Sequence, residues 1–346
     1  MRIAQVSPLY ESVPPRNYGG TERVVSYLTE ELVRQGHDVT LFASGDSVTK
    51  AKLVSPCERA LRGDEHCRDP VLPHVLELEQ VFGSLDRFDI VHFHVDYLHF
   101  PLSRRIQEPH LTTLHGRLDL PQMARLYREF KELPLVSISD AQRAPLPSSN
   151  WVATVHHGLP EDLYTFNEKP QGYLAFLGRF SPEKQPDQAI EIARQVGMEL
   201  QIAAKVDEMD KDYFQTVVKP LLRHPLVQFL GEIGDDRKND FLGKARAVLF
   251  PIDWPEPFGL VVIEAMACGT PVIAYRSGSV PELIDHGVTG FVVDSQDEAV
   301  QAARRAVTLD RRRVRRVFEE RFTSSRMARD YLEVYDRMLK HEAAPA

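Results

Sequence analysis

"PEPFGLVVIEAMACGTPVIAY", Pro255–Tyr275, reads as a loop, a helix and a strand in quick succession. From Phe258 to Ala274 almost every residue is apolar or small, and Glu264 stands alone among them. A carboxylate in a buried helix is costly unless something pairs with it. Two kinds of partner fit. A vicinal diol on a bound ligand, such as a nucleotide ribose, would donate two hydrogen bonds, and an Arg or Lys of a neighbouring element would form a structural ion pair. Glu256 stands eight residues before Glu264, giving E-x7-E. Between them Phe258, Gly259 and Leu260 turn the chain into the helix. Gly259 lets the backbone approach a ligand closely, and the first N–H groups of the helix form a ready anion site.

Outward from this stretch, short apolar runs recur with helical segments between them. In the first half they are Arg2–Val6, Val39–Ala43, Ile90–His94, Leu111–Leu114, Leu135–Ile138 and Val152–Val155. In the second half they are Tyr173–Leu177, Leu200–Ala204, Val227–Leu230, Ala247–Pro251, Pro271–Ala274 and Gly290–Val293. Unbroken apolar runs of about four or five residues suit strands buried on both faces, and alternation with helices predicts parallel sheets. Twelve such runs would be unusual in one open sheet. The polar, proline-containing Pro160–Gly172 marks the break. The fold class expected is α/β, with two Rossmann-like doubly wound domains facing across a cleft and ligands at the carboxyl ends of the strands. The helix Thr21–Gln35 carries Val24, Val25, Leu28, Leu32 and Val33 on one face and stops at Gly36.

A net charge of -8 argues against a nucleic-acid binder held by bulk charge. No apolar run approaches the ~18–20 residues that span a bilayer, and the N-terminus reads as a strand rather than a leader, so a cytoplasmic protein is expected. The three cysteines, Cys57, Cys67 and Cys268, lack metal-site spacing and read as free thiols of a reduced compartment. Arg311–Arg313 with Arg315 and Arg316 reads as a solvated helix face rather than a membrane patch.

Three further stretches can carry chemistry. "FLGRFSPEKQP", Phe176–Pro186, follows the first strand of the second half. Its Arg179 and Lys184 either neutralise a diphosphate or are ordinary surface charge. "NYGGTERVV", Asn17–Val25, puts Gly19 and Gly20 before a helix. It is either a phosphate-cradling turn or a simple cap, and it lacks the full G-x-G-x-x-G. "TTLHGR", Thr112–Arg117, ends a strand on His115, which is either structural or at a cleft edge. His92 and His94 alternate on a strand, one able to line the cleft and the other facing a helix layer, and both read as packing residues.

Together "YGGTERVV", "LHGR", "LGRFSPEKQ" and "EPFGLVVIEAMACGTPVIA", followed by "GSVPELIDHGVTGFVV", resemble the family 4 glycosyltransferases of GT-B fold over nearly the whole chain. The resemblance implies an acceptor-side domain over residues 1–165, with a C-terminal helix from 325 onward packing back on it, and a donor-binding domain over 166–324. It implies retaining transfer of a hexosyl group from a UDP-, GDP- or ADP-linked sugar to a carbohydrate, lipid-linked or small-molecule acceptor, with no cofactor and no metal. Arg179 and Lys184 would hold the diphosphate. Glu264 would bind the ribose and Glu256 the sugar hydroxyls. The backbone of Phe258, Gly259 and Leu260 would cap the phosphates. Gly20, beside Gly19, would approach the diphosphate, and His115 would sit beside the transferring sugar. His157 departs from the family pattern, where many relatives carry Asn. An NDP-sugar epimerase of similar fold and a non-catalytic nucleotide-sugar-binding protein are the alternatives. A dehydrogenase lacks its dinucleotide fingerprint here, and a phosphorylase lacks its cofactor lysine.

Overall fold

A computed structural model describes residues 1–16 and 19–342. The apolar runs become two wholly parallel sheets. The first contains β1 (Arg2–Val6), β2 (Asp38–Phe42), β3 (Lys52–Val54), β4 (Ile90–Phe93), β5 (His110–Thr113), β6 (Leu135–Ser137) and β7 (Trp151–Thr154). Its order is β3-β2-β1-β4-β5-β6-β7. The second contains β8 (Tyr173–Arg179), β9 (Glu199–Lys205), β10 (Val227–Phe229), β11 (Ala247–Phe250), β12 (Val272–Tyr275) and β13 (Gly290–Val293), in the order β10-β9-β8-β11-β12-β13. Each predicted run has its strand. The additional one, β3, is an edge strand with only two adjacent apolar residues, Leu53 and Val54.

The chain separates into one unit formed by Met1–Pro160 with the segment from Ser324 onward, and another formed by Glu161–Thr323. In the second unit Leu174, Phe176, Ile202, Leu249, Ile273 and Phe291 fill a core closed by helices Pro186–Val196 and Gln296–Arg305. Each such side chain contributes about 1.5–3 kcal/mol on burial. In the first unit, helix Gly20–Arg34 buries Val24, Val25, Leu28 and Leu32, and Gly36 follows at φ 87 in the left-handed conformation that ends helices. Helix Ser324–Glu342 buries Met327, Tyr331, Val334 and Tyr335 and packs on helix Gly20–Arg34.

The arginine run departs from its expected role. Arg312, Arg313 and Arg316 are exposed, but Arg311 is buried. It donates to the carbonyl oxygens of Asn167, Ala245 and Gly243 and to Thr270 Oγ1 at 2.7–2.9 Å. Arg315 donates at 2.6 Å to the oxygen of Ala267, where helix Leu260–Ala267 ends. Carbonyls at a helix end lack internal partners, so Arg315 braces the end of the Glu264 helix, while Arg311, through Gly243 O and Ala245 O, braces the end of helix Asp235–Lys244. No helix among the described residues is long and apolar enough to cross a membrane.

Candidate functional site

In the second sheet β8 and β11 lie side by side at the point where strand order reverses. Open α/β sheets bind ligands in the crevice there. Arg179 is the last residue of β8, and Lys184 ends the 3-10 turn Pro182–Lys184 just beyond. Glu256 lies in the loop between β11 and helix Leu260–Ala267. The two loops are joined: Asp253 N donates to Glu183 O at 2.9 Å, and Lys184 Nζ donates to Glu256 Oε2. The same carboxylate oxygen accepts from Trp254 Nε1 at 3.1 Å. Lys184 Nζ also lies 5.1 Å from the Trp254 ring centre and 5.4 Å from that of Phe250, within cation–π range.

Gly259 caps the helix at φ 92, and a Cβ there would come within 3.3 Å of Phe250 Cζ. Phe258 is buried and Leu260 half-buried at the start of the helix. Sequence reasoning gave no role to the segment that clamps this loop. Ser279 N donates to Glu256 O at 3.0 Å, and Ser279 Oγ donates to Phe258 O at 2.6 Å. Gly278, at φ 51, presses so closely that a Cβ would overlap the Glu256 backbone. Gly278 and Ser279 stand in "GSVPEL", a stretch quoted for its resemblance alone, and the glycine was the available signal.

Arg179 Nη1 lies 3.2 Å from Asp207 Oδ2 and 3.6 Å from Asp210 Oδ2, and Lys205 Nζ lies 2.9 Å from Asp207 Oδ1. Burial pushes the Asp207 carboxyl up, but Lys205 and Arg179 outweigh it and hold it below the usual range. Asp210 is raised, by burial first, with Glu183 and Asp207 adding to it against Arg179. Both aspartates were missed. The register that sets Arg179 opposite Lys205 puts the loop after β9 beside Arg179.

Glu264 is 3% exposed, and Oε1 lies 3.5 Å from Lys238 Nζ, which also reaches Asp235 Oδ1 at 3.2 Å. The structural-ion-pair reading therefore has a named partner, Lys238 of helix Asp235–Lys244.

Gly19, Gly20 and His115 belong to the first unit. Gly19 is the cap of helix Gly20–Arg34, and a Cβ on it would strike Pro15 Cβ at 2.7 Å. Asn17 and Tyr18 of that stretch lie outside the described residues. His115 follows β5. Its Nε2 is 2.9 Å from His94 Nδ1, and its ring stacks on His157 at 5.2 Å. Burial pushes His115 down to about 3. His92 and His94 do not divide between a cleft and a helix layer. Two residues apart on a strand, they share one face, both are buried, and their ring centres are 4.0 Å apart. Cys57, Cys67 and Cys268 are free, and no group of three metal-ligating side chains occurs among the described residues.

Two family models match the chain. The model for glycosyl transferases group 1 covers residues 165–321, and that for glycosyltransferase family 4 covers residues 18–167. An uncharacterised glycosyltransferase of Methanocaldococcus jannaschii is 25% identical over 345 aligned residues, covering 85% of each chain. Among solved structures, a glycosyltransferase involved in avilamycin A biosynthesis superposes with a TM-score of 0.78 at 24% identity, over 98% of both chains. HepE of Anabaena, solved in complex with UDP-glucose, superposes with a TM-score of 0.72 at 17% identity, over 97% of this chain and 100% of that one.

Proposed function

The chain belongs to the family 4 glycosyltransferases, with their GT-B fold, and from that premise we propose that it transfers a hexosyl group from a nucleotide-diphosphate sugar to an acceptor hydroxyl with retention. The observation that carries the reading is the meeting of Lys184 with Glu256 at the β8–β11 crevice, directly before the Gly259-capped helix. A departing nucleoside diphosphate needs positive charge without reorganisation. Arg179 and Lys184 supply two cations, and the N–H groups after Gly259 supply a helix dipole. Each such contact is worth about 2.7–4 kcal/mol in the transition state. With that charge in place the reaction needs no divalent ion at the phosphates.

Glu256, steered by Lys184 and Trp254, orients the hydroxyls of the donor sugar. It is not assigned as a nucleophile, because the acceptor hydroxyl can pass its proton to the leaving phosphate oxygen on the same face. Glu264 takes the ribose hydroxyls with Lys238 as its resting partner. A UDP-linked hexose is the first donor to try, since a protein of this fold is solved with UDP-glucose. The acceptor is a carbohydrate, a lipid-linked sugar or a small molecule.

The test is thermal stability in EDTA against UDP-, GDP-, ADP- and dTDP-sugars. A ligand at one hundred times its Kd adds about 2.7 kcal/mol. A shift with one nucleotide family supports the reading, and a panel flat with and without magnesium counts against it. Product analysis then separates transfer with retention from epimerisation and from binding without turnover.

A further inference from the structure

Behind His115 runs a buried chain of hydrogen bonds that the transfer reaction does not by itself require. His115 Nε2 meets His94 Nδ1 at 2.9 Å, and His94 Nε2 meets Gln5 Oε1 at 2.8 Å. Gln5 Nε2 donates to the Tyr335 hydroxyl at 3.1 Å, and that hydroxyl lies 2.7 Å from His92 Nδ1. His92 Nε2 is 2.7 Å from Thr113 Oγ1, which is 2.9 Å from the Tyr331 hydroxyl. Gln5, His92, His94, Thr113, Tyr331 and Tyr335 are all 0–1% exposed.

The chain has a direction. A carbonyl oxygen only accepts, so His94 Nε2 carries the proton that Gln5 Oε1 receives. A neutral His94 then has only a lone pair at Nδ1, and His115 must donate to it from Nε2–H. On its other side the Gln5 amide nitrogen donates to the Tyr335 hydroxyl, which couples its orientation to the proton positions of His92 and Thr113. To turn His115 over, that amide and every proton along the chain must shift together.

We propose that Gln5 and His94, anchored through Tyr335 of the C-terminal helix, are positioning residues that fix His115 as a neutral imidazole in its Nε2–H tautomer. The groups around the ring agree with a neutral His115. β4 contributes His92 and His94, β5 Thr113, and the segment after β7 His156 and His157. The charged groups nearby, Arg326 and Asp330, pair with each other at 2.6 Å, and Arg326 also donates to the carbonyl oxygens of His156 and His157. Burial, first, and neighbouring imidazoles, second, hold His94 well below the ordinary histidine range. His115 Nδ1 has no partner among the described residues, so nothing else competes for the choice of tautomer.

The test is long-range proton–nitrogen NMR of the full chain labelled on histidine nitrogens, between pH 5.5 and 8.5, with His115→Gln identifying the resonances. The expected spectrum shows His115 as a single neutral tautomer protonated on Nε2, with no titration across that range. His94→Phe should convert it to a mixture of tautomers. Gln5→Leu, which cuts the chain one bond further away, should do the same more weakly, and circular dichroism checks that each variant is folded. A proton on Nδ1, a mixture in the unaltered protein, or a titrating His115 would overturn the proposal. An unchanged His115 signal in a folded His94→Phe variant would do so too. No sugar nucleotide enters the spectrum, so a failed donor panel would sink the transferase reading while leaving this result to stand or fall alone.

Discussion

Lys238 Nζ lies 3.5 Å from Glu264 Oε1, at the outer limit of a hydrogen bond, and shares its charge with Asp235. Glu264 is therefore neither abandoned in its apolar helix nor fully satisfied by the protein. A buried carboxylate with a loosely held counter-ion can exchange that contact for a ligand's hydroxyls at small cost, whereas a tight bidentate pair could not.

This predicts two separable phenotypes. Glu264→Ala should weaken binding of the stabilising nucleotide by about ten- to a hundredfold, the scale of one or two charge-assisted hydrogen bonds, with the fold intact. Lys238→Met should instead lower stability by about 1–3 kcal/mol, because it strands a buried charge, and Glu264→Gln in the same chain should recover much of the loss. Urea midpoints and nucleotide titrations on the three variants measure both. Equal nucleotide affinity in Glu264→Ala and the parent chain would remove the ribose role.

Arg179 and Lys184 are each held by carboxylates, Arg179 by Asp207 and Asp210 and Lys184 by Glu256. A diphosphate must compete with them. Arg179→Ala with Lys184→Ala should abolish transfer, since two such contacts at about 2.7–4 kcal/mol each amount to at least about ten-thousandfold in rate. Release of nucleoside diphosphate is the assay, and turnover within tenfold of the parent chain would count against the clamp.

Sheet composition was legible because parallel strands buried on both faces print as continuous apolar runs. Lys52–Val54 escaped because it offers only Leu53 and Val54 between Lys52 and Ser55, too few apolar residues to print as a run. The roles suggested for Glu256 and Gly259 were readable because each breaks a local rule: a charge beside an apolar run, and a glycine at a helix start. Asp207 and Asp210 could not be read the same way. Acidic residues in a polar loop are the commonest surface residues there are, and only the β8–β9 register brings them to Arg179. Arg311 was misread for the converse reason. Within a run of arginines nothing in the sequence marks the one whose guanidinium turns inward to backbone carbonyls.

Gly278 should tolerate no side chain. Its φ of 51 disfavours L residues, and the atoms that a Cβ would meet are the backbone of Glu256 and Pro255, which cannot rotate away. Gly278→Ala is expected to displace the Glu256 loop and reduce turnover at least about tenfold, while nucleotide affinity, which the proposed function assigns to Glu264 and the cations, falls less. A variant with unchanged turnover would show that the position of Glu256 does not matter to the reaction.

Glu22, in the first turn of helix Gly20–Arg34, sets a pH dependence of stability. Burial pushes its carboxyl up to about 7, with Glu11 adding to the rise and Arg62 and backbone N–H groups opposing it. An unfolded chain releases this proton near 4.5. Between those values the folded protein holds a proton that the unfolded chain has lost, so stability falls as pH rises through the window, and the loss is complete above about 7. The shift corresponds to about 3 kcal/mol. Glu22→Gln removes the titration but keeps the shape. Its advantage over the parent chain should be near zero at pH 4.5 and grow to about 3 kcal/mol at pH 8, read from urea unfolding at several pH values. An advantage independent of pH would show that Glu22 keeps its charge in the folded state, stabilised by Arg62 and the helix N-terminus.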